Sequence, residues 1–368
     1  MMTNNRMHNH TKSGFVLVSV FMMMGIASLI VMQLCTRGAI YNLFVPIMYE
    51  REQARFLALS GITCALNQLA MKDDSVLKKE NEKKSDKKGE KPDPKERKQD
   101  FFLTLLMIQN KWQKYEIKDE GYEGEFGIYV SCEDGKIPVN GLMDFTKQTF
   151  VTLQKPALFK GQDCVEWLGK KLEENKKSKD PFPHLKTALK ERKYAFTAVE
   201  ELLSIEGLQG FKDSVYPPFP SDERSLSRRS TGVGGKPQLY LQDIFTMHVV
   251  DPVLNPWFFT SSLKMLCEIK EEKKMDLKEY EKIVKSLDFS KTALSQEWDK
   301  SLKKVYNKSY TALPDKIVGL LTAKFEPRFF SMLCYGKVGN SEQRLCAYVE
   351  RLWTEDTETF KVHKIYWL

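Results

Sequence analysis

The strongest hydrophobic pattern lies near the start of the chain. Phe15–Cys35 is an uncharged, mostly apolar run of 21 residues, and a helix of that length spans roughly 30 Å, the thickness of bilayer hydrocarbon. The pattern predicts a transmembrane helix over residues 15–36. Beyond it, Ala54, Leu57, Ala58, Gly61, Ile62, Ala65, Leu66 and Leu69 recur at three- and four-residue steps, which predicts an amphipathic continuation over residues 37–71 with one face against a folded head. Pro46 removes an amide donor between the two stretches, so a kink or interruption is expected there.

Residues Lys72–Asp100 carry eleven Lys/Arg and nine Asp/Glu with only Val76 and Leu77 apolar. Such a tract cannot bury enough surface to offset chain entropy and is expected to be a disordered charged loop. Phe101–Trp112 then has helical character, and Gly121–Val130 alternates as a strand followed by the turn residues Glu133-Asp134-Gly135. From 141 to 320 the patterns are mostly helical: Cys164–Asn175, His184–Arg192, Ala198–Ile205, Leu239–Phe245, Phe258–Lys270, Leu277–Leu287 and Ser295–Tyr306. They are broken by Tyr216–Pro237, a stretch rich in Pro, Ser, Arg and Gly that reads as an exposed loop.

The runs Phe325–Tyr335, Gln343–Thr354 and Thr359–Leu368 are separated by turn residues and predict a three-stranded antiparallel meander. One strand before the helices and three after them would complete a single sheet. The expected fold is therefore α+β, a long N-terminal helix packed on an antiparallel sheet, with residues 101–140 and 321–368 forming the α/β head and residues 141–320 a helical domain inserted between its strands.

Charge alters this picture little. Lys+Arg 57 against Asp+Glu 49 leaves a formal charge of +8 over 368 residues, but the two signs are interspersed and make no basic stripe for nucleic acid. A helix-hairpin-helix could be sought at Leu203–Gly210, yet Gly207 and Gly210 are three apart and Glu206 would repel phosphate. No nucleic-acid partner is expected. The seven cysteines have no Cys-x-x-Cys spacing, which argues against a structural zinc. Cys334 and Cys346 flank Gly336–Asn340, read as a hairpin tip. They could face each other across two strands, either as a disulfide in an oxidising compartment or as two small half-buried residues.

No nucleophile elbow, P-loop, paired helical histidines or dinucleotide glycine fingerprint occurs. His8 and His10 precede the apolar run, and His184, His248 and His363 are far apart in sequence. No catalytic residue is therefore nominated, and a non-enzymatic role is expected.

The start of the chain is also not an ordinary secretory signal, whose apolar stretch is shorter and ends in a small-x-small site. Here Arg6 and Lys12 precede Ser13-Gly14-Phe15. This arrangement resembles the leader of type IV pilin-like proteins, in which a prepilin peptidase cuts after the glycine and methylates the new terminal residue. The resemblance implies a cytoplasmic leader over residues 1–14, cleavage between Gly14 and Phe15, and an intact helix thereafter. Basic residues ahead of the run place the N-terminus in the cytoplasm and the remainder in the periplasm, with Arg37, Arg51 and Arg55 reducing the asymmetry.

Most pilins carry a glutamate five residues into the mature chain; here that position is Ser19. The departure resembles the K-type minor pseudopilin of the type II (general) secretion pathway, a filament-tip subunit that needs no carboxylate for a further subunit's amine. Glu52–Gly61, Ser131–Asn140, Phe196–Leu208, and the weaker matches Thr246 and Asn255, are similar to segments of that family. The resemblance implies a SAM-like helical insertion and a single-pass inner-membrane protein that nucleates or caps the pseudopilus during export. Its implied partners are other minor pseudopilins, the prepilin peptidase, the inner-membrane secretion platform and exported cargo. It further implies calcium in the helical region, although no Asp-x-Asp-x-Asp-Gly loop is present and no ligand is assigned. A minor pilin of a type IV pilus or DNA-uptake filament, a generic membrane-anchored periplasmic adaptor and a membrane-tethered hydrolase are the alternatives.

Overall fold

The computed structural model describes residues 10–70, 94–119, 122–154, 158–175, 185–220, 238–249, 251–269, 277–287, 296–322, 326–353 and 358–368. The first helix, α1 (His10–Ala70), runs unbroken through both hydrophobic patterns. Pro46 does not interrupt it. The residue forfeits one backbone bond to the carbonyl of Asn42, while the surrounding turns keep theirs.

The large apolar side chains from Phe15 to Tyr49 stand exposed, whereas Ala54, Leu57, Ala58, Ile62, Ala65 and Leu69 are buried. That change follows the sequence pattern. Upstream, apolar residues surround the whole helix; downstream, they occupy one stripe that packs on a sheet. Each of the buried leucine and isoleucine side chains contributes about 1.5–3 kcal/mol by leaving water.

Helix α2 (Pro94–Ile108) corrects two expectations. Residues 94–100 belong to it and not to the charged loop, because Pro94 suits a first helical turn and Phe101, Phe102, Leu105 and Leu106 downstream are buried. The rest of the expected loop, up to residue 93, lies outside the described residues. The helix also stops short of Trp112, which opens a strand.

Five strands form the main sheet, β1 (Trp112–Asp119), β2 (Tyr122–Cys132), β3 (Phe329–Val338), β4 (Ser341–Trp353) and β5 (Glu358–Trp367), paired antiparallel in that order. The strand β1 was not anticipated. Its residues Gln113, Lys114, Glu116 and Lys118 are polar because it is an edge strand, so the alternation that reveals a half-buried strand is faint. Two strands therefore precede the helical segment, and not one. Residues 133–328 fall between β2 and β3, which are neighbours in the sheet.

The β3–β4 connection is a two-residue turn at Gly339-Asn340, with Gly339 at φ +55°. Gly336, Lys337 and Val338 belong to β3, contrary to the longer expected tip. The register pairs Cys334 with Leu345 and Cys346 with Leu333. The two cysteines therefore lie on opposite faces of the sheet, which excludes the disulfide, and both are free thiols.

Among the described residues between β2 and β3 the α-helices are α3 (Gly161–Asn175), α4 (Leu185–Glu191), α5 (Ser261–Leu266), α6 (Leu277–Ser286) and α7 (Gln296–Tyr306), with short ones at Leu241–Ile244 and Asp315–Val318. The apolar stretch Val199–Ser204 forms a 3-10 helix instead of the expected α-helix. Phe258–Lys270 contracts to α5, started by the Thr260 hydroxyl accepting from the Leu263 amide at 3.4 Å. Two-residue ladders also occur, among them Ile137–Pro138 running parallel to Phe245–Thr246. One continuous hydrophobic core joins α1, the α1 side of the sheet and these helices.

Candidate functional site

Residues 1–9 of the anticipated leader lie outside the described residues. Gly14 and Phe15 both fall inside α1, with the Phe15 ring exposed. Ser19, one turn further on, donates its hydroxyl to the Phe15 carbonyl at 2.9 Å. This local bond satisfies the hydroxyl within the helix, as serine and threonine do in apolar surroundings. The same device recurs at Thr36, whose hydroxyl bonds the Met32 carbonyl at 2.8 Å. By length and composition α1 is the one helix among the described residues able to cross a membrane, and its most apolar window is entirely uncovered.

A second concentration of polar groups is buried on the sheet face opposite α1. Glu133 starts a 3-10 turn, Glu133–Gly135, immediately after β2. Lys136 follows it, and its ammonium donates to Glu133 Oε1 at 2.5 Å and to Ser331 Oγ at 2.8 Å. Ser331 in turn lies 2.8 Å from Ser131 across the β2–β3 pair. The Lys136 side chain is 0% exposed and that of Glu133 1%, so the pair persists only because each charge neutralises the other.

Nearby, Asp243 accepts from the Tyr129 hydroxyl at 3.4 Å and the Ser262 hydroxyl at 3.2 Å. Burial pushes its carboxyl up to about 6, against the pull of Lys136. The His248 ring packs against that of Tyr348, tilted by 40° with centroids 3.9 Å apart, and burial holds its pKa below the usual histidine value. Most of the polar groups here are hydrogen-bonded within a packed seam joining the sheet to the helices, while His248 Nε2 and Gln242 Oε1 are buried with no hydrogen-bond partner among the described residues. An arrangement of this kind specifies how two layers meet.

Sequence reasoning missed this seam. The only available signal was Lys136 three residues after Glu133, a spacing that surface pairs share. Other expected residues have local structural duties. Glu201, in the segment 196–208, accepts from the Thr197 and Ala198 amides at 2.9 and 3.2 Å. Asn255 is buried and caps the Trp257 amide at 3.0 Å, while Thr246 Oγ1 accepts from the His248 amide at 3.3 Å. Gly207 takes φ +89° at the start of a 3-10 helix, which accounts for it as a turn residue. His184 lies outside the described residues, and His363 bonds Glu350 at 2.6 Å.

Among the described residues no three His, Cys, Asp or Glu side chains gather as a group able to hold a metal ion. No family model and no curated protein matches the chain. Among solved structures, the chain is similar to one chain of the GspK-GspI-GspJ complex from the enterotoxigenic Escherichia coli type 2 secretion system. The two share 10% identity over 88% of this chain and 98% of that one, with a TM-score of 0.42.

Proposed function

We propose that the protein is a membrane-anchored, non-enzymatic pseudopilus subunit of the K-type minor pseudopilin kind, seated at the filament tip and nucleating or capping it during protein export. The observation that carries this reading is the division of α1. Its apolar first half is uncovered over a length that spans a bilayer, and its second half is the packing partner of a sheet interrupted by helices.

In this reading residues 1–14 are a leader removed by a prepilin peptidase, and Phe15 becomes the first residue of the mature chain. The exposed side of α1 below the membrane meets other minor pseudopilins and the inner-membrane platform, with the C-terminal part in the periplasm. Residues 101–140 and 321–368 act as the head, and residues 141–320 as an inserted domain that widens the tip and meets exported cargo. Ser19 supports a tip position: its hydroxyl is satisfied within its own helix, and it supplies no carboxylate for the amine of a subunit stacked above.

The test is intact-mass and N-terminal peptide analysis of the protein isolated from its native membranes. A chain beginning at N-methylated Phe15 is expected. A chain retaining residues upstream of Phe15, or cut downstream of the apolar run, overturns the pilin-type reading.

A further inference from the structure

The five-stranded sheet ends in two edge strands, β1 and β5, and the two are finished differently. On β1 the Tyr115 ring stacks on Phe126 with centroids 5.0 Å apart, and Gln68 of α1 donates to its hydroxyl. Lys114, Glu116 and Lys118 alternate in sign along the strand, and Lys118 pairs with Glu116 at 2.9 Å. The apolar residues of β1 are half-buried. On β5, by contrast, Val362, Ile365 and Trp367 are 38, 42 and 39% exposed.

The register explains why these residues line up. Val349 pairs with Val362 and Tyr348 with Lys364, so His363 is an extra residue in β5, and the side-chain alternation shifts there by one. Phe360, Val362, Ile365 and Trp367 therefore share the face on which Leu345, Ala347 and Val349 are buried with α1. Helix α1 borders this apolar strip, with the Arg55 guanidinium 4.7 Å from the centroid of the Trp367 ring. Lys361 and Lys364, paired with Glu350 and Tyr348 of β4, take the other face. The Lys364 ammonium lies over the Tyr366 ring at 5.5 Å, and neither lysine forms an ion pair among the described residues.

An edge strand presents a row of backbone amides and carbonyls along its open side. A strand added there takes affinity from main-chain hydrogen bonds and selectivity from the side chains on either face. On β5 one face is apolar and the other cationic. Two copies of the chain joined through β5 would gather Lys361 and Lys364 of both at one seam, and like charges across a strand pair are destabilising. A strand with carboxylates on that face turns the same lysines into an attraction. We propose that β5 is an acceptor edge for an extended acidic segment of another protein, in which carboxylates alternate with apolar residues. The inference stands apart from the pilin-type reading of α1.

The test uses the full chain in non-ionic detergent and a fluorescent peptide with blocked ends, Thr-Val-Glu-Val-Glu-Ile-Glu-Val-Thr, against its counterpart with lysine at each glutamate. The acidic peptide should bind about tenfold more tightly or better, and Lys361→Glu together with Lys364→Glu should reverse the order of the two. Both lysines are exposed, so the circular dichroism of that variant should match the unaltered chain. Two further acidic peptides carry N-methyl groups on alternate backbone nitrogens, one set for each edge of the strand. Methylation of the pairing edge should weaken binding about tenfold or more relative to methylation of the outer edge. No detectable binding, equal binding of the acidic and lysine peptides, or equal binding of the two methylated forms overturns the proposal. A peptide with benzoylphenylalanine in place of its isoleucine should photolabel β5 or the adjoining part of α1, and labelling elsewhere overturns it. So does a dimer of the unaltered chain that Ile365→Arg dissolves, which would assign the edge to a second copy.

Discussion

The two faces of the five-stranded sheet are built by opposite means. Toward α1 the backbones come close: Ala54 and Ala58 sit over Gly336, and Gly61 sits over Cys334, with Phe126 and Tyr115 packed alongside. On the other side lie Trp112, Tyr129, Tyr335 and Tyr348 with the buried Lys136–Glu133 pair and Asp243. The first face lets a helix backbone approach a strand backbone, and its specificity is steric. The second seats irregular chain between layers, where backbone groups cannot satisfy each other, so side-chain polar groups must do so.

The sharpest way to break this contrast is to remove one charge from the seam. Lys136→Met should cost about 3–5 kcal/mol in denaturant unfolding, because it strands the Glu133 carboxylate in the interior. Adding Glu133→Gln should restore more than half of the loss. A double variant as unstable as the single one would show that packing, and not charge pairing, holds the seam.

The pH dependence of stability comes next. The Asp243 carboxyl titrates near 3.8 when unfolded and is pushed up to about 6 by burial, so between about pH 4 and 6 the folded chain retains a proton that the unfolded chain has released. The stability owed to that proton is present below the window and lost as pH rises through it, by roughly 2–3 kcal/mol. Asp134, pushed up to about 7 by burial, adds to the same slope. Asp243→Asn should flatten the fall between pH 4 and 6 and raise the unfolding midpoint at pH 7. An unchanged profile would remove Asp243 as its source.

The α1 face should answer to size alone. Gly336→Ala would place a methyl 2.1 Å from the Ala54 carbonyl and 2.6 Å from the Ala58 amide, at a cost of about 1–3 kcal/mol that does not vary with pH. A thermal midpoint unmoved by the substitution would mean that α1 can slide along the sheet. The smallest expected effect is that of a reductant. With Cys334 and Cys346 on opposite faces, dithiothreitol should leave both the melting temperature and the non-reducing mass unchanged.

What was legible in the sequence was local. The apolar run, the stripe from Ala54 to Leu69 and the C-terminal meander each declare themselves through a repeat of 3.6 or 2 residues, or through turn chemistry at Gly339-Asn340, and each formed within a few residues of its expected bounds. The edge strand β1 did not, since only Tyr115 and Ile117 mark its α1-facing side, too few to make a repeat. Nor did the short helices between β2 and β3, whose ends are set by caps and neighbours.

The candidate site divides in the same way. Gly14, Phe15 and Ser19 could be named from a motif, and their surroundings are those of a single helix. The cysteine pair turned on register, in which a slip of one residue exchanges the faces, and twelve residues of sequence separation cannot encode that choice. The sequence by itself determined that one helix would be long, apolar and then amphipathic, and that a sheet would be interrupted by helices. Only the tertiary structure decided that Lys136 meets Glu133 and Ser331 away from water, and that Tyr216–Pro220 lies on Trp112. Lys136 and Glu133 are near neighbours, but their burial and the other contacts depend on residues distant in the chain, and their strength comes from the desolvation that folding creates.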